Sequence, residues 1–401
     1  MGLLGTLCEK LSMSQLCIFN PDHDLALAHG ANHYVSPTSA VKFAADAALL
    51  PLWLAEDAMV CATLPPLPAS FMETAYRCGL QVQLADSWHE AARCDRILPW
   101  GWNHNLARHL QKQSIPAALL PTDQQLEKIR ELSHRRLSRQ AMQFLQERLP
   151  DTAERPLPAT ELTTIEEVEH FVAQHGEVVL KMPWSGSGRG LRLIKGTMTT
   201  HQRGWAAQSI RKYGCVMGEL YYAVVQDFAM EFDLSQSPSF CGYSLFTTRH
   251  GVYQENLLLS DAMIEQRLSA YVKLPLIHAV REAMGEFLAL YITPYYQGIV
   301  GVDMFVYQKD GEYFLHPAVE LNLRLTMGWA AHQFYRRYVR EGSVGRWQLR
   351  YLPDENALLE EDAALRARYP LRVEQGRVVA GYLSLTPFYA GTEYAVQCWL
   401  S

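Results

Sequence analysis

Val178-Val-Leu-Lys-Met-Pro-Trp-Ser-Gly-Ser-Gly-Arg-Gly-Leu191 is a short apolar run that ends in a lysine and opens into a loop containing Gly186, Gly188 and Gly190. Glycines let backbone N–H groups turn toward an anion with no Cβ in the way. Lys181 and Arg189 add positive charge on either side of that loop. The combination suits a polyphosphate, which makes Lys181, Ser185, Gly186, Ser187, Gly188, Arg189 and Gly190 candidate nucleotide-binding residues. The loop lacks the Gly-Lys-Ser/Thr ending of a Walker A loop, and its Gly-x-Gly-x-Gly spacing is not the Rossmann fingerprint. Kinases place the glycine loop before the strand lysine, the reverse of the order here. Taken alone, a plain Gly/Ser hairpin has the same composition.

A second stretch narrows the choice: Gly301-Val-Asp-Met-Phe-Val-Tyr-Gln-Lys-Asp-Gly-Glu-Tyr-Phe-Leu-His-Pro-Ala-Val-Glu-Leu-Asn-Leu-Arg324. Asp310-Gly311 between two apolar runs is the signature of a two-residue type I′ hairpin turn. Closing the hairpin there sets Asp303 opposite Ala318, with Glu320 and Asn322 farther along on the same face. Two carboxylates and an amide are hard oxygen donors of the kind Mg²⁺ takes beside phosphate oxygens. Arg324 continues the alternation. Pro317 has no N–H for the ladder, so a bulge at that point can shift the register.

A strand lysine, a glycine-rich loop and a later Asp…Glu-x-Asn-x-Arg together resemble the ATP-grasp superfamily, over roughly residues 120–345. The loop is similar to that of biotin carboxylase, and the strand Glu320–Arg324 to the metal strand of D-alanine–D-alanine ligase. The resemblance implies an α+β fold whose two subdomains clasp Mg·ATP, preceded by a small Rossmann-like parallel α/β domain. The implied units are 14–120 (N-terminal α/β), 121–225 (subdomain with the glycine loop), 226–345 (subdomain with the metal hairpin) and 346–401 (an extension of unread role). It implies a ligase that activates a carboxylate as an acyl phosphate, joins it to an amine or similar nucleophile, and releases ADP and phosphate. An amino acid or short peptide is the guessed acid.

Residue by residue, the resemblance gives Lys181 to the phosphates, Asp303, Glu320 and Asn322 to one or two Mg²⁺ (or Mn²⁺), and Arg324 to the transferred phosphoryl group. It puts adenine at the hinge strand Ala223–Phe228, with Gln226 and Asp227 as candidates, where the family often has Glu. The second basic residue that the family supplies ahead of the loop strand would be Arg135 or Arg136. The alternatives are a kinase of the same superfamily and a nucleotide-binding protein without turnover.

Upstream, Gln15–Phe19 reads as a buried strand running into Asn20-Pro-Asp-His-Asp24, and strands alternate with helical stretches to residue 120. Such alternation predicts a parallel layer. Loops after strands are where open α/β sheets bind ligands, so Asn20, Asp22 and Asp24 are candidate substrate contacts. Gln124–Arg148 reads as one helix, and Thr164-Ile-Glu-Glu167 has capping-box spacing.

The 401 residues, 49% hydrophobic and 19% charged, exclude a disordered, collagenous or coiled-coil chain. With 36 basic against 42 acidic residues, no global field draws nucleic acid or anionic lipid. Small-molecule acid and amine partners are expected, with no nucleic acid and no membrane, and a homodimer is compatible with the sequence. The scattered cysteines show no ligand-like spacing, which favours a reduced cytoplasmic location. Gly2 and Thr6 also fit the myristoylation pattern.

Overall fold

The computed structural model describes residues 14–30, 33–150, 155–186, 190–249, 252–354 and 356–401, and among them the strands form three sheets. Gly2, Thr6, Ser187, Gly188 and Arg189 lie outside the described residues.

The first sheet joins β1 (Gln15–Ile18), β2 (Ala58–Val60), β3 (Gln83–Leu84) and β4 (Arg96–Pro99) in the order β3-β2-β1-β4. Each of its pairs is parallel, as the strand–helix alternation predicts. The second sheet joins β5 (Thr160–Leu162), β6 (Glu177–Lys181), β7 (Leu191–Lys195) and β8 (Val216–Leu220) in the antiparallel order β5-β8-β6-β7. Thr164 and Glu167 form the expected capping box at the start of the helix Ile165–His175.

The third sheet is larger. It takes in β9 (Ala223–Asp233), β10 (Ser239–Arg249), β11 (Val252–Leu258), β12 (Ile299–Lys309), β13 (Glu312–Asn322), β14 (Gly345–Tyr351), β15 (Arg372–Glu374), β16 (Arg377–Ser384) and β17 (Tyr394–Leu400). Their order is β13-β12-β9-β10-β11-β14-β17-β16-β15. Residues 346–401, unread in the sequence, therefore extend this sheet. Their strands cover the N-terminal layer: Phe19 and Trp53 share one apolar cluster with Trp347, Val378, Leu383, Val396 and Cys398. Trp53 Nε1 donates to the Leu385 carbonyl at 2.9 Å, and Asp46 accepts from the backbone N–H groups of Glu393 and Tyr394 at 2.9 and 3.1 Å.

β9 shows how sequence alternation sorts the faces. Phe228, Met230 and Phe232 are buried against Ile277, Val280, Met284 and Phe287, the apolar stripe of the helix Leu274–Tyr291. Asp227, Ala229 and Glu231 therefore point to the opposite face. One helix was expected over Gln124–Arg148, but the chain forms Asp123–Leu132 and Arg136–Gln146 with a break between. Ser133 Oγ bonds back to the Ile129 carbonyl at 2.7 Å, and the Arg135 N–H donates to Pro183 at 3.0 Å instead of continuing the helix. The cysteines described are unpaired. Among the described residues no helix is long and apolar enough to cross a membrane.

Candidate active site

The hairpin β12–β13 turns at Asp310 and Gly311, both with positive φ (52° and 85°), as a type I′ turn demands. Pairing starts at Lys309↔Glu312 and holds to Phe305↔His316, then shifts so that Asp303 faces Glu320 and Gly301 faces Asn322. The expectation that Asp303 opposes Ala318 is thus corrected. The strand bulges around Pro317, which has no N–H to give, and absorbs two further residues. A two-residue slip preserves parity, so Asp303, Glu320 and Asn322 still share one face.

These groups are linked side chain to side chain. Asn322 Nδ2 donates to Asp303 Oδ2 at 3.2 Å, and Arg324 Nη2 donates to Asn322 Oδ1 at 3.0 Å. Burial raises the Asp303 carboxyl to about 7, with repulsion from Glu320 adding to the rise and Arg324 opposing it. Glu320 accepts an ion pair from Arg135 Nη1 at 2.8 Å. Arg135, delivered by the break between the two helices, also donates to the carbonyls of Met182 and Ser185, each at 3.0 Å. Arg135 is buried, whereas Arg136 turns outward toward Glu161 at 3.6 Å. Of the two basic candidates only Arg135 reaches these groups.

The glycine loop is the turn of the hairpin β6–β7, closed by Lys181↔Leu191 pairing and by a Met182 N–H to Gly190 carbonyl bond of 2.9 Å. Lys181 is buried and pairs with Glu219 of β8 at 2.5 Å. Glu219 is a residue the sequence analysis missed. Its signal is a lone carboxylate in an apolar strand, Val216-Met-Gly-Glu-Leu220, placed across from the strand of Lys181.

The chain passes from the second sheet to the third at Tyr221–Tyr222, between β8 and β9. The Tyr222 ring lies 5.6 Å from Phe305 and 5.4 Å from His316. His316 is driven down to about 3 by burial and by the positive charge of Lys181, so it is neutral. Gln226 and Asp227 sit beyond this crossover, inside β9. Gln226 Nε2 donates to the Asp227 carbonyl at 2.8 Å, and Asp227 Oδ2 accepts from Thr248 Oγ1 at 2.8 Å. Asp227 pairs with Phe305 on the face of Asp303, and Gln226 points to the other side.

Glu231 joins the same face, directly opposite Gly301. It is fully buried, its Oε1 accepts from Thr326 Oγ1 at 2.8 Å, and burial raises it to about 8. Sequence reasoning passed over it although it lies at even spacing from Asp227.

The N-terminal loop arrives from the first sheet. Asp24 and Arg324 form a two-point ion pair, Oδ1 to Nε and Oδ2 to Nη2, both at 2.9 Å. Burial works against ionising Asp24, but Arg324, helped by His23 and Arg135, holds the carboxyl below its ordinary range. Asn20 is used locally: its side chain donates to the Gly101 carbonyl at 2.8 Å and accepts from the Gly101 N–H at 3.3 Å. Asp22 occupies the N-cap of the helix His23–His29 without capping it through its side chain. Asp24, Ser185, Glu320, Asn322 and Arg324 line a crevice of about 20 Å³. The three sheets thus converge on one cluster of opposite charges.

No family model matches the sequence, and no curated protein matches it. Solved structures do resemble the fold. An N5-carboxyaminoimidazole ribonucleotide synthetase in its ADP complex aligns with a TM-score of 0.51 at 13% identity, over 97% of this chain and 92% of that one. Biotin carboxylase from Campylobacter jejuni, in a β-γ-ATP complex, aligns at 0.51 and 12% identity, over 97% and 87%. The Staphylococcus aureus N5-carboxyaminoimidazole synthetase with ADP aligns at 0.50 and 12% identity, over 97% and 93%. The chain has the ATP-grasp fold. The alignment covers nearly the whole chain, so the sheet formed by β1–β4 and the strands after residue 345 fall largely within it.

Proposed function

We propose that this chain is a Mg·ATP-dependent ligase that activates a small-molecule carboxylate as an acyl phosphate and joins it to an amine or similar nucleophile. The observation that carries the reading is the single sheet face bearing Asp303, Glu320 and Asn322, with Arg324 in the turn just past the end of β13 bonded to Asn322 and Arg135 linking the face to the glycine-loop hairpin.

The donor set fits Mg²⁺. Two carboxylates and an amide oxygen are hard ligands, and Mn²⁺ takes the same set. The raised Asp303 carboxyl, close to Glu320, marks a place where a divalent cation relieves repulsion. Bound there, the metal supplies neutralisation of phosphoryl charge. Lys181, Arg135 and the described part of the glycine loop, Ser185, Gly186 and Gly190, hold the phosphates, and Arg324 stabilises charge on the transferred group. The hinge strand Ala223–Phe228, with Gln226 and Asp227, is the proposed place of the adenine. The acid oxygen attacks the γ-phosphorus and ADP leaves; the amine then attacks the acyl carbon and phosphate leaves. The N-terminal layer 14–120, with Asn20 and Asp22 after β1, is the proposed home of the acid, an amino acid or short peptide.

Calorimetric titration of ATP and of a non-hydrolysable analogue, with and without Mg²⁺, tests the reading in wild type and Asp303→Ala/Glu320→Ala. Metal-dependent binding in wild type that is lost in the double variant is expected; no nucleotide binding at millimolar concentration sinks the reading. Glu320→Gln should stop ADP release with an unchanged circular dichroism spectrum. Lys181→Ala should do the same, but it strands the buried Glu219 carboxylate, so Lys181→Ala/Glu219→Gln is the fold-preserving form of that test.

A further inference from the structure

Arg324 has little left to offer a substrate as it stands. Its Nε and Nη2 engage both oxygens of Asp24, Nη2 also donates to Asn322, and Nη1 donates to the Leu325 carbonyl at 3.1 Å. Those contacts use four of the five guanidinium N–H groups. A phosphate or carboxylate that gripped the same fork bidentately would need the two donors that Asp24 now holds.

Asp24 is also pressed by the glycine loop. A Cβ built on Gly186 would meet Asp24 Oδ2, so the loop backbone lies directly against the carboxylate. The anion sandwiched between the guanidinium and the loop is therefore a protein carboxylate. The crevice beside it is lined by the same groups, Asp24, Ser185, Glu320, Asn322 and Arg324, so the carboxylate sits where the site opens. No other described acid is bonded to Arg324; Glu320 is taken by Arg135, and Asp303 is bonded to Asn322.

We propose that Asp24 is a specificity-determining residue of this site: its carboxylate occupies the anion position of Arg324 and keeps free phosphate away until a substrate anion displaces it. The inference rests on the ligase reading for the identity of that substrate anion, but not for the exchange itself. Exchange of one anion for another at a fixed guanidinium favours a ligand that brings additional contacts, such as a metal-bound phosphoryl group, over a free ion that brings none. Asp24, from the N-terminal layer, thereby selects what the arginine just past the end of β13 can accept.

The test is a titration of inorganic phosphate, without nucleotide or metal, into the full chain. Asp24→Asn should bind phosphate roughly tenfold or more tightly than wild type, since two charge-assisted donors are returned to the anion. Asp24→Ala serves the same comparison where the asparagine still holds the fork. A gain of affinity is not something a damaged fold produces, and it should vanish in Asp24→Asn/Arg324→Gln. Unchanged or weaker phosphate binding in both single variants overturns the proposal. Mg·ADP titrated into the same proteins separates the two ideas: its failure to bind wild type defeats the ligase reading and leaves the phosphate comparison standing.

Discussion

Glu231 has a measurable consequence of its own. Its folded value of about 8 lies above the ordinary carboxylate range because burial disfavours the charge. The folded chain therefore holds a proton that the unfolded chain releases near pH 4.5, and the stability this contributes is full below that pH and lost as pH rises through about 8. Asp303 acts with the same sign, up to about 7. The melting temperature should fall by roughly 3 °C or more between pH 5 and pH 9, and Glu231→Gln should flatten the slope. A wild-type curve that rises over that range would contradict the assignment. Neither Glu219 nor Glu231 was legible in advance. A lone acid in an apolar strand reads as exposed alternation until its neighbouring strands are known, whereas Asp303, Glu320 and Asn322 announce themselves because one hairpin contains them all.

The hairpin β12–β13 shows how far local rules carry. Its turn follows from two residues, and their positive φ values agree with the sequence. Gly311→Ala should cost about 1 kcal/mol, read as a shift in denaturant midpoint with unchanged slope, because the second turn position needs a left-handed backbone. The register beyond Pro317 was only partly legible: the proline signals a bulge, but how many residues the bulge absorbs depends on packing against β9. The helix break at Ser133–Arg135 escaped notice for a related reason. Every residue there is an adequate helix former, and the bond to Pro183 that replaces helical pairing comes from a distant loop.

Across the whole molecule, the parallel layer could be anticipated because its strands follow one another through short helices. The order of the third sheet could not, since β14 through β17 join β9 through β13 only after long excursions in the chain. Their removal is predicted to be severe. A chain ending at residue 376 lacks β16 and β17 and uncovers Trp53, Phe19 and Trp347, so it should aggregate or bind a hydrophobic dye, not merely lose activity. A truncated chain that remains monomeric with a cooperative melt would refute the shared core. That core also sets a schedule for synthesis. At roughly 5–20 residues per second, a ribosome needs on the order of 20–70 s to travel from Trp53 to the last strand that covers it. For that interval the N-terminal layer has no permanent lid, so the newborn chain depends on a chaperone or on provisional contacts, and slowing translation late in the message should lower the yield of folded protein.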